Sequence, residues 1–460
     1  MPSSWWFALH ATAVLGLLFG AVLVGRLLRE RRPPTSTMAW LLAIVLMPWV
    51  GVPLYLLLAV RKERSGTPAE LLRAGPQGAG EPCTPTDRLL RAYGIAPATT
   101  GNRVAFWGTG EEVYRVLVDL IESATRCIRI EMFILHPDPV GRDILERLAR
   151  RAREGIEVRL LLDAVGSFTT RARFLEPLTA AGGRVAFSGR LWRLLGGRAN
   201  QRNHRKIVLV DGARALAGGL NLAGEYLGPT PRPDRWRDLA FLLEGPAVAD
   251  FSAIFRSDWQ RAAGERLEVD PVPEFEVAAH GGGATAQVVP SGPDVPDDPH
   301  YAALLSAIWA SERRFWAVTP YFVPDDALAQ ALALAARRGV DVQILVPEKS
   351  NHRLADLARG TYLREIQRAG GRILLYTRGM VHAKAVVVDE ALAILGSCNI
   401  DLRSLRLNYE ASLFLYEAKD VDAIAAWVGT LRRDCREGVR APSAFRDALE
   451  GAVRTAAPLL

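Results

Sequence analysis

A segment built on His-x-Lys-x4-Asp occurs twice in this chain, 178 residues apart, and that recurrence limits the possible folds more than any other feature. The first copy, NHRKIVLVDGARALAGGLN at 203–221, carries His204, Lys206 and Asp211 around a short apolar run and closes on Gly218, Gly219 and Asn221. The second, VHAKAVVVDEALAILGSCN at 381–399, carries His382, Lys384 and Asp389 and closes on Gly396, Ser397 and Asn399. With seven His and five Lys in 460 residues, chance alone would supply roughly 0.004 such matches. Two copies with matching tails therefore point to a duplicated unit. Flanking stretches agree: GIEVRLLLD at 155–163 parallels GVDVQILVP at 339–347, and AAGGRVAF at 180–187 parallels RAGGRILLY at 368–376.

The repeats sit in a regular alternation of strand-like and helix-like stretches. Helical periodicity marks residues 111–125 and 141–154, and strands are expected at 128–135, 157–162, 207–210 and 239–244. The second half repeats the order, with helices at 301–311, 325–338 and 354–369 and strands at 314–323, 340–346, 385–388 and 411–416. The expected fold class is α/β: two duplicated lobes, each a mixed or parallel sheet flanked by helices, meeting at one site. The lobes are placed at 101–270 and 301–460, with a Pro/Gly/Asp-rich connection at 271–300 and a flexible Gly/Pro-rich linker at 65–100.

Ahead of the linker, residues 5–28 and 38–60 are apolar, and each is long enough to cross a hydrocarbon core, which takes about 20 residues of helix. They are read as an N-terminal pair of membrane helices, an anchoring hairpin over residues 1–64, with Pro48 and Pro53 kinking the second helix. A cleaved signal peptide competes for the first run, but a second apolar run follows at once. Orientation is left open. Arg26, Arg29, Arg31 and Arg32 favour a cytoplasmic loop, while Arg61, Lys62 and Arg64 favour a cytoplasmic flank beyond the second run. Both cannot hold if both runs span fully; a re-entrant or interfacial run is the alternative.

The formal charge is +7 and Arg supplies 52 of the 57 basic residues. This is a composition bias without a dense basic stripe, so no nucleic-acid partner is expected. Lysine is scarce, which singles out Lys206 and Lys384; a compact ammonium suits a phosphate oxygen as a point charge. The four cysteines (83, 127, 398 and 435) fit neither a zinc pattern nor a disulfide framework and are read as free thiols.

His204, Lys206, Asp211, His382, Lys384 and Asp389 form the candidate catalytic set. Residues two apart on a strand point to one face, so each His–Lys pair can aim into a shared cleft. The two lysines with Asn221, Asn399 and Ser397 would clamp a phosphate or phosphodiester. Two imidazoles around one phosphorus can divide the labour, one attacking to give a phosphohistidine and the other protonating the leaving oxygen. Each needs a carboxylate on its other nitrogen. Asp238, 34 residues after His204, and Glu410, 28 residues after His382, begin strand-like runs at corresponding points and are the candidates. Asp211 and Asp389 close their strands seven residues past the histidines and are read as structural or ion-paired rather than chemical. No carboxylate/His cluster of metal-ligand spacing accompanies the set, so a site without metal or other cofactor is expected.

Together these residues resemble the phospholipase D superfamily and, within it, the bacterial cardiolipin synthases. RRPPTSTMAWLLAIVLMPWVGVPLYLLL is similar to that family's N-terminal membrane segment. GGLNLAGEY, WRDLAFLLEGPAV, VVPSGPD, TPYFVPDDAL and GSCNIDLRSLRLNYE are similar to its internal signatures, in its order. The resemblance implies a metal-free two-lobed fold in which two phosphatidylglycerol molecules condense to cardiolipin and glycerol through a phosphatidyl-histidine. It further implies His204 as nucleophile, His382 as acid/base, and a place at the bacterial inner membrane with cytoplasm-facing lobes. Two positions depart from the pattern: Asn351 stands where Asp is expected, and Gly219 stands where the second copy has Ser397. A phospholipase D-type hydrolase or transphosphatidylase with another acceptor, a nuclease, and a lipid-binding protein with a dead site are the competing readings. Oligomeric state is not specified.

Overall fold

Short apolar runs separated by amphipathic stretches assemble, in each half of the chain, into a sheet with the same strand order. The computed structural model describes residues 19–29, 34–58, 83–189, 201–269 and 283–455, with the isolated positions Trp6 and Gly16. It divides into a smaller unit, residues 1–61 with 191–200, and a larger unit, residues 62–190 with 201–460.

In the larger unit the first half contributes β1 (Thr99–Trp107), β2 (Cys127–Met132), β3 (Glu157–Asp163), β4 (Arg184–Ser188), β5 (Ile207–Val210), β6 (Arg214–Gly218) and β7 (Ala240–Glu244). The second half contributes β8 (Ala284–Ser291), β9 (Arg314–Val318), β10 (Phe322–Val323), β11 (Asp341–Pro347), β12 (Arg372–Tyr376), β13 (Ala385–Val388), β14 (Leu392–Gly396), β15 (Ile400–Asp401), β16 (Glu410–Leu415) and β17 (Cys435–Glu437). The halves run β1-β7-β6-β5-β2-β3-β4 and β8-β16-β14-β13-β9-β11-β12-β17 outward from the centre, where β1 pairs with β8 antiparallel. Thus, among the described residues, a fifteen-stranded sheet carries both copies, β17 being an extra edge strand and β10–β15 a separate short pair. β2-β3-β4 and β9-β11-β12 are parallel; the other neighbours in the shared order are antiparallel.

Parallel neighbours need a crossover, and helices supply it. Pro139–Arg153 and Asp326–Arg337 occupy equivalent places, and each starts on an aspartate cap. Asp138 accepts from Gly141 N–H at 2.8 Å, and Asp325 accepts from Leu328 N–H at 3.0 Å. One face of the sheet carries an apolar cluster that runs through both halves, joining Phe241, Phe255 and Trp259 to Val288, Val387 and Leu413 under helices Val248–Ala263 and Ala418–Arg432. Each fully buried side chain of this size contributes about 1.5–3 kcal/mol. The two halves therefore share a core, and the site between them rests on it.

Three expectations change. The 271–300 stretch, read as a connection, contains β8, buried at all eight positions and central to the sheet. Its Val288 and Val289 reach both apolar cores, and the Pro/Gly composition around it masked the strand. The last part of the linker, Pro85–Ala92, is a helix whose Leu90 is buried in the second half's core and whose Asp87 accepts from Gln287. Residues 65–82 of that linker, and 271–282 of the connection, lie outside the described residues. The expected strand at 314–323 is divided into β9 and β10.

The N-terminal unit departs most. Residues 19–29 are helical, and the second apolar run is two helices, Pro34–Leu46 and Pro48–Leu58, instead of one kinked span. Among the described residues, no helix is long and apolar enough to cross a membrane. The break falls at Met47, because Pro48 has no N–H to continue the ladder, whereas Pro53 is accommodated inside its helix. Leu23, Leu27, Ile44 and Tyr55 form the unit's small core.

Candidate active site

Each His–Lys pair lies on the extended approach to a strand, Lys206 immediately before β5 and Lys384 immediately before β13. Two isolated parallel bridges hold these approaches against the opposite half, Asn203 beside Tyr409 and Arg237 beside Val381. His204 N–H donates to the Tyr409 carbonyl at 3.0 Å, and His382 N–H donates to the Arg237 carbonyl at 2.7 Å. The residue after each of those carbonyls is a buried carboxylate. Consequently, the His204 Nδ1 lies 3.0 Å from both oxygens of Glu410, and the His382 Nδ1 lies 2.9 Å from Asp238 Oδ2. The sequence assigned Asp238 to His204 and Glu410 to His382 within each half. The structure brings both carboxylates to the site but crosses the pairing, because the bridges stitch each histidine to the other half.

All six groups are buried, and burial is the main influence on the bases. It pushes His204 down to about 4 and His382 down to about 3, with the neighbouring lysines acting in the same direction and the paired carboxylates opposing. Lys206 is lowered to about 7 and Lys384 to about 8, again mainly by burial, with Asp238 and Glu410 opposing. Burial alone would raise Glu410, but His204 and Lys206 hold it below the usual carboxylate range. Each lysine feels charges of both halves, so the two pairs share one electrostatic site.

The lysines are held differently. Lys206 Nζ donates to the His204 carbonyl at 2.7 Å and lies over the Phe133 ring. Lys384 Nζ contacts the His382 carbonyl and lies 2.8 Å from Nδ1 of the same ring. With its Nδ1–H donated to the Asp238 carboxylate, the ring has no lone pair at Nδ1 to accept from the Lys384 ammonium, which donates to the His382 carbonyl instead. Of the expected phosphate binders, Asn221 accepts from Ile134 N–H at 3.2 Å, and Asn399 Nδ2 donates to Ser404 Oγ at 3.1 Å. Ser397 Oγ accepts from Ala411 N–H at 3.1 Å and sits beside Glu410.

Asp211 and Asp389 are not brought to the site. They follow the far ends of β5 and β13 with φ of 56° and 47°. Asp211 accepts from the N–H groups of Thr125, Arg126 and Cys127, and Asp389 from those of Glu312, Arg313 and Arg314. Both tie a turn to the start of the neighbouring strand, β2 or β9. The catalytic grouping of these two is therefore corrected to a structural one.

The sequence reading missed several neighbours. Tyr226 and Trp236 pack on the His382 ring at 5.1 and 5.5 Å, and Phe133 packs on His204 at 4.8 Å. Tyr321, 6.3 Å from His382, donates to Asn351 Oδ1 at 2.6 Å, so the departure at Asn351 lies one residue from the imidazole. Arg205, fully buried, pairs with Asp258 at 2.5 Å and donates from Nε to the Glu410 carbonyl at 3.0 Å. Its counterpart in the second copy is Ala383. That mismatch inside the motif was the available signal. Gly219 is explained as well: a Cβ there would lie 2.2 Å from Asp238 Oδ1, so the residue is small to admit the carboxylate of the crossed pair.

A family described as cardiolipin synthase, PLD-like domain, matches residues 117–259 and 304–431, one stretch around each His–Lys pair. The chain belongs to this family. A second match, to the phospholipase D-nuclease N-terminal family, covers residues 18–59. Among curated relatives, cardiolipin synthase 1 of Bacillus cereus is 33% identical over 449 residues, covering 91% of this chain and 86% of that protein. Cardiolipin synthase of Geobacillus kaustophilus is 35% identical over 404 residues, covering 84% and 80%. In fold, the chain is similar to the phosphatidylserine synthase of Haemophilus influenzae Rd KW20, with a TM-score of 0.62 at 16% identity over 82% of this chain and all of that one.

Proposed function

We propose that this member of the cardiolipin synthase family transfers a phosphatidyl group between two phosphatidylglycerol molecules, giving cardiolipin and glycerol. The observation that carries the reading is the pair of buried imidazoles, each with Nδ1 on a carboxylate of the opposite half, between two lysines of lowered pKa. Such a carboxylate fixes the tautomer and leaves Nε2 for the substrate.

The first phosphodiester settles between Lys206 and Lys384, whose charges meet its oxygens. The bound anion opposes the burial and the lysine charges that lower His382, which favours the protonated form it needs as acid. His204 Nε2 attacks phosphorus, the N–P bond forms, the P–O bond to glycerol breaks, and His382 delivers its proton to that oxygen. Glu410 holds the resulting charge on His204. In the second step His382 takes the proton of the incoming lipid's terminal hydroxyl, the O–P bond forms and the N–P bond breaks. The burial of His204 beside Phe133, and of His382 beside Tyr226 and Trp236, restricts water at the site, which favours transfer over hydrolysis.

The N-terminal apolar unit is taken as a membrane anchor that holds the site where both lipids lie. Its exposed Leu42, Val45 and Trp49 and the family match over residues 18–59 support that role. The test is incubation of purified protein with phosphatidylglycerol vesicles without divalent metal or CTP. Cardiolipin and glycerol in equal amounts are expected; phosphatidic acid without cardiolipin would mean a hydrolase.

A further inference from the structure

We propose that residues 34–58 form a re-entrant hairpin, entering and leaving the bilayer from its basic, cytoplasmic face. The proposal rests on the anchoring role given above and specifies its topology.

Along one continuous helix, Trp40 and Tyr55 would stand about 22 Å apart at 1.5 Å per residue. Their rings instead meet edge to face at 5.5 Å. Gly51 and Ala43, each four residues from Met47, approach so closely that a Cβ on Gly51 would lie 2.1 Å from the Ala43 carbonyl oxygen. The chain therefore reverses at Met47, and Gly51 permits the backbones to touch, as small residues do between helices in lipid.

The dimensions exclude a full crossing by either arm. Pro34–Leu46 has 13 residues and Pro48–Leu58 has 11, giving arms of about 20 and 16 Å against a hydrocarbon core of about 30 Å. The tip is apolar and exposed, with Leu46 at 71%, Met47 at 58% and Trp49 at 78%. A turn within hydrocarbon must satisfy its own backbone. Met47 N–H donates to the Ala43 carbonyl at 3.1 Å, its carbonyl accepts from Val50 and Gly51, and Pro48 has no N–H to leave unpaired.

Charge supplies the orientation. Two full spans would put Arg26, Arg29, Arg31 and Arg32 on the opposite face from Arg61, Lys62 and Arg64, leaving one basic cluster on the wrong side. A hairpin that returns to its own face puts both clusters on the cytoplasmic side at once. The occupant of its exposed apolar surface is then the inner leaflet of an anionic bilayer.

The test uses the full chain carrying Arg29→Cys, with native Cys83, exposed in the structure, as the second reporter. Sealed right-side-out and inside-out membrane vesicles are treated with an impermeant maleimide, and labelled sites are read by peptide mass spectrometry, with detergent-solubilised protein as the reference for full labelling. Both thiols are expected to be labelled from the cytoplasmic face, with loss of labelling at both from the other. Labelling of Arg29→Cys and Cys83 from opposite faces overturns the hairpin while leaving the anchor in place. Release of the protein by alkaline washing overturns the anchoring itself, and the hairpin with it.

Discussion

His382 Nδ1 lies 2.9 Å from Asp238 Oδ2, a carboxylate 144 residues earlier and in the other half of the fold. The reciprocal pair, His204 with Glu410, spans 206 residues. Each imidazole is thus kept in register by the half that does not contain it, and the proposed mechanism gives the two carboxylates different histidines to serve, the nucleophile for Glu410 and the acid–base for Asp238.

Exchanging the carboxylates one at a time should separate those roles. Glu410→Gln and Asp238→Asn are each expected to lower turnover of phosphatidylglycerol by about 10²–10⁴-fold, the usual range for a disabled acid–base group. With a p-nitrophenyl phosphodiester, whose leaving group needs no proton, Asp238→Asn should still form the phosphohistidine at a near-normal rate, whereas Glu410→Gln should not. Rapid-quench trapping of labelled enzyme distinguishes them, and equal losses in the two variants would contradict the crossed assignment.

The pH dependence follows from the lysines. Below about 7 both Lys206 and Lys384 are protonated in the free enzyme, and above about 8 both lose their charge. The clamp is present on the acid side of this window and disappears on the basic side, so kcat/KM should fall as pH rises through it. Removing one lysine as Lys206→Ala or Lys384→Ala should cost about 10²–10³-fold. A kcat/KM profile that stays flat to well above pH 8 is the contrary result.

Gly219 and Ser397 occupy matching places but should not be interchangeable. Gly219→Ser places a Cβ 2.2 Å from Asp238 Oδ1 and forces that carboxylate off His382. Activity is expected to fall by about 10²-fold or more, as for loss of the acid–base group itself. Ser397→Gly removes hydrogen bonds to the Ala411 backbone and to Glu410 but puts no atom against that carboxylate, and should cost less. Steady-state assays of the two variants at matched folding, checked by circular dichroism, decide it.

Asp211→Ala and Asp389→Ala remove acceptors that each bind three strand-start amides. Each should destabilise the fold by about 1–3 kcal/mol and lower Tm, with turnover well below Tm unchanged. A loss of turnover without loss of stability would return these residues to the chemistry.

Much of this was legible in one dimension. The recurrence of His-x-Lys-x4-Asp announced the duplication, and period-two and helical patterning located β5 and β13 at the observed bounds. His204, Lys206, His382, Lys384, Asp238 and Glu410, which the structure brings together, were all visible as candidates. Their partnership was not, because it depends on bridges between residues 203 and 409 and between 237 and 381, which no local pattern encodes. β8 escaped because Pro and Gly in and around it resemble a connection, although it pairs on both sides. The reversal at Met47 escaped for a related reason: a proline in an apolar run signals a kink, and only the close approach of Gly51 to Ala43 turns that kink into a hairpin.

The crossed pairing also orders events during synthesis. A ribosome delivers His204 and Lys206 about 200 residues before Glu410, at roughly 5–20 residues per second. Through that interval the first imidazole has no carboxylate, and β1 has no β8 beside it until residue 284 has emerged. A nascent or truncated chain ending before residue 410 therefore cannot run the reaction, even when its first half has reached the lipid. The crossed site is assembled only once β16, which begins with Glu410, has emerged and taken its place between β14 and β8.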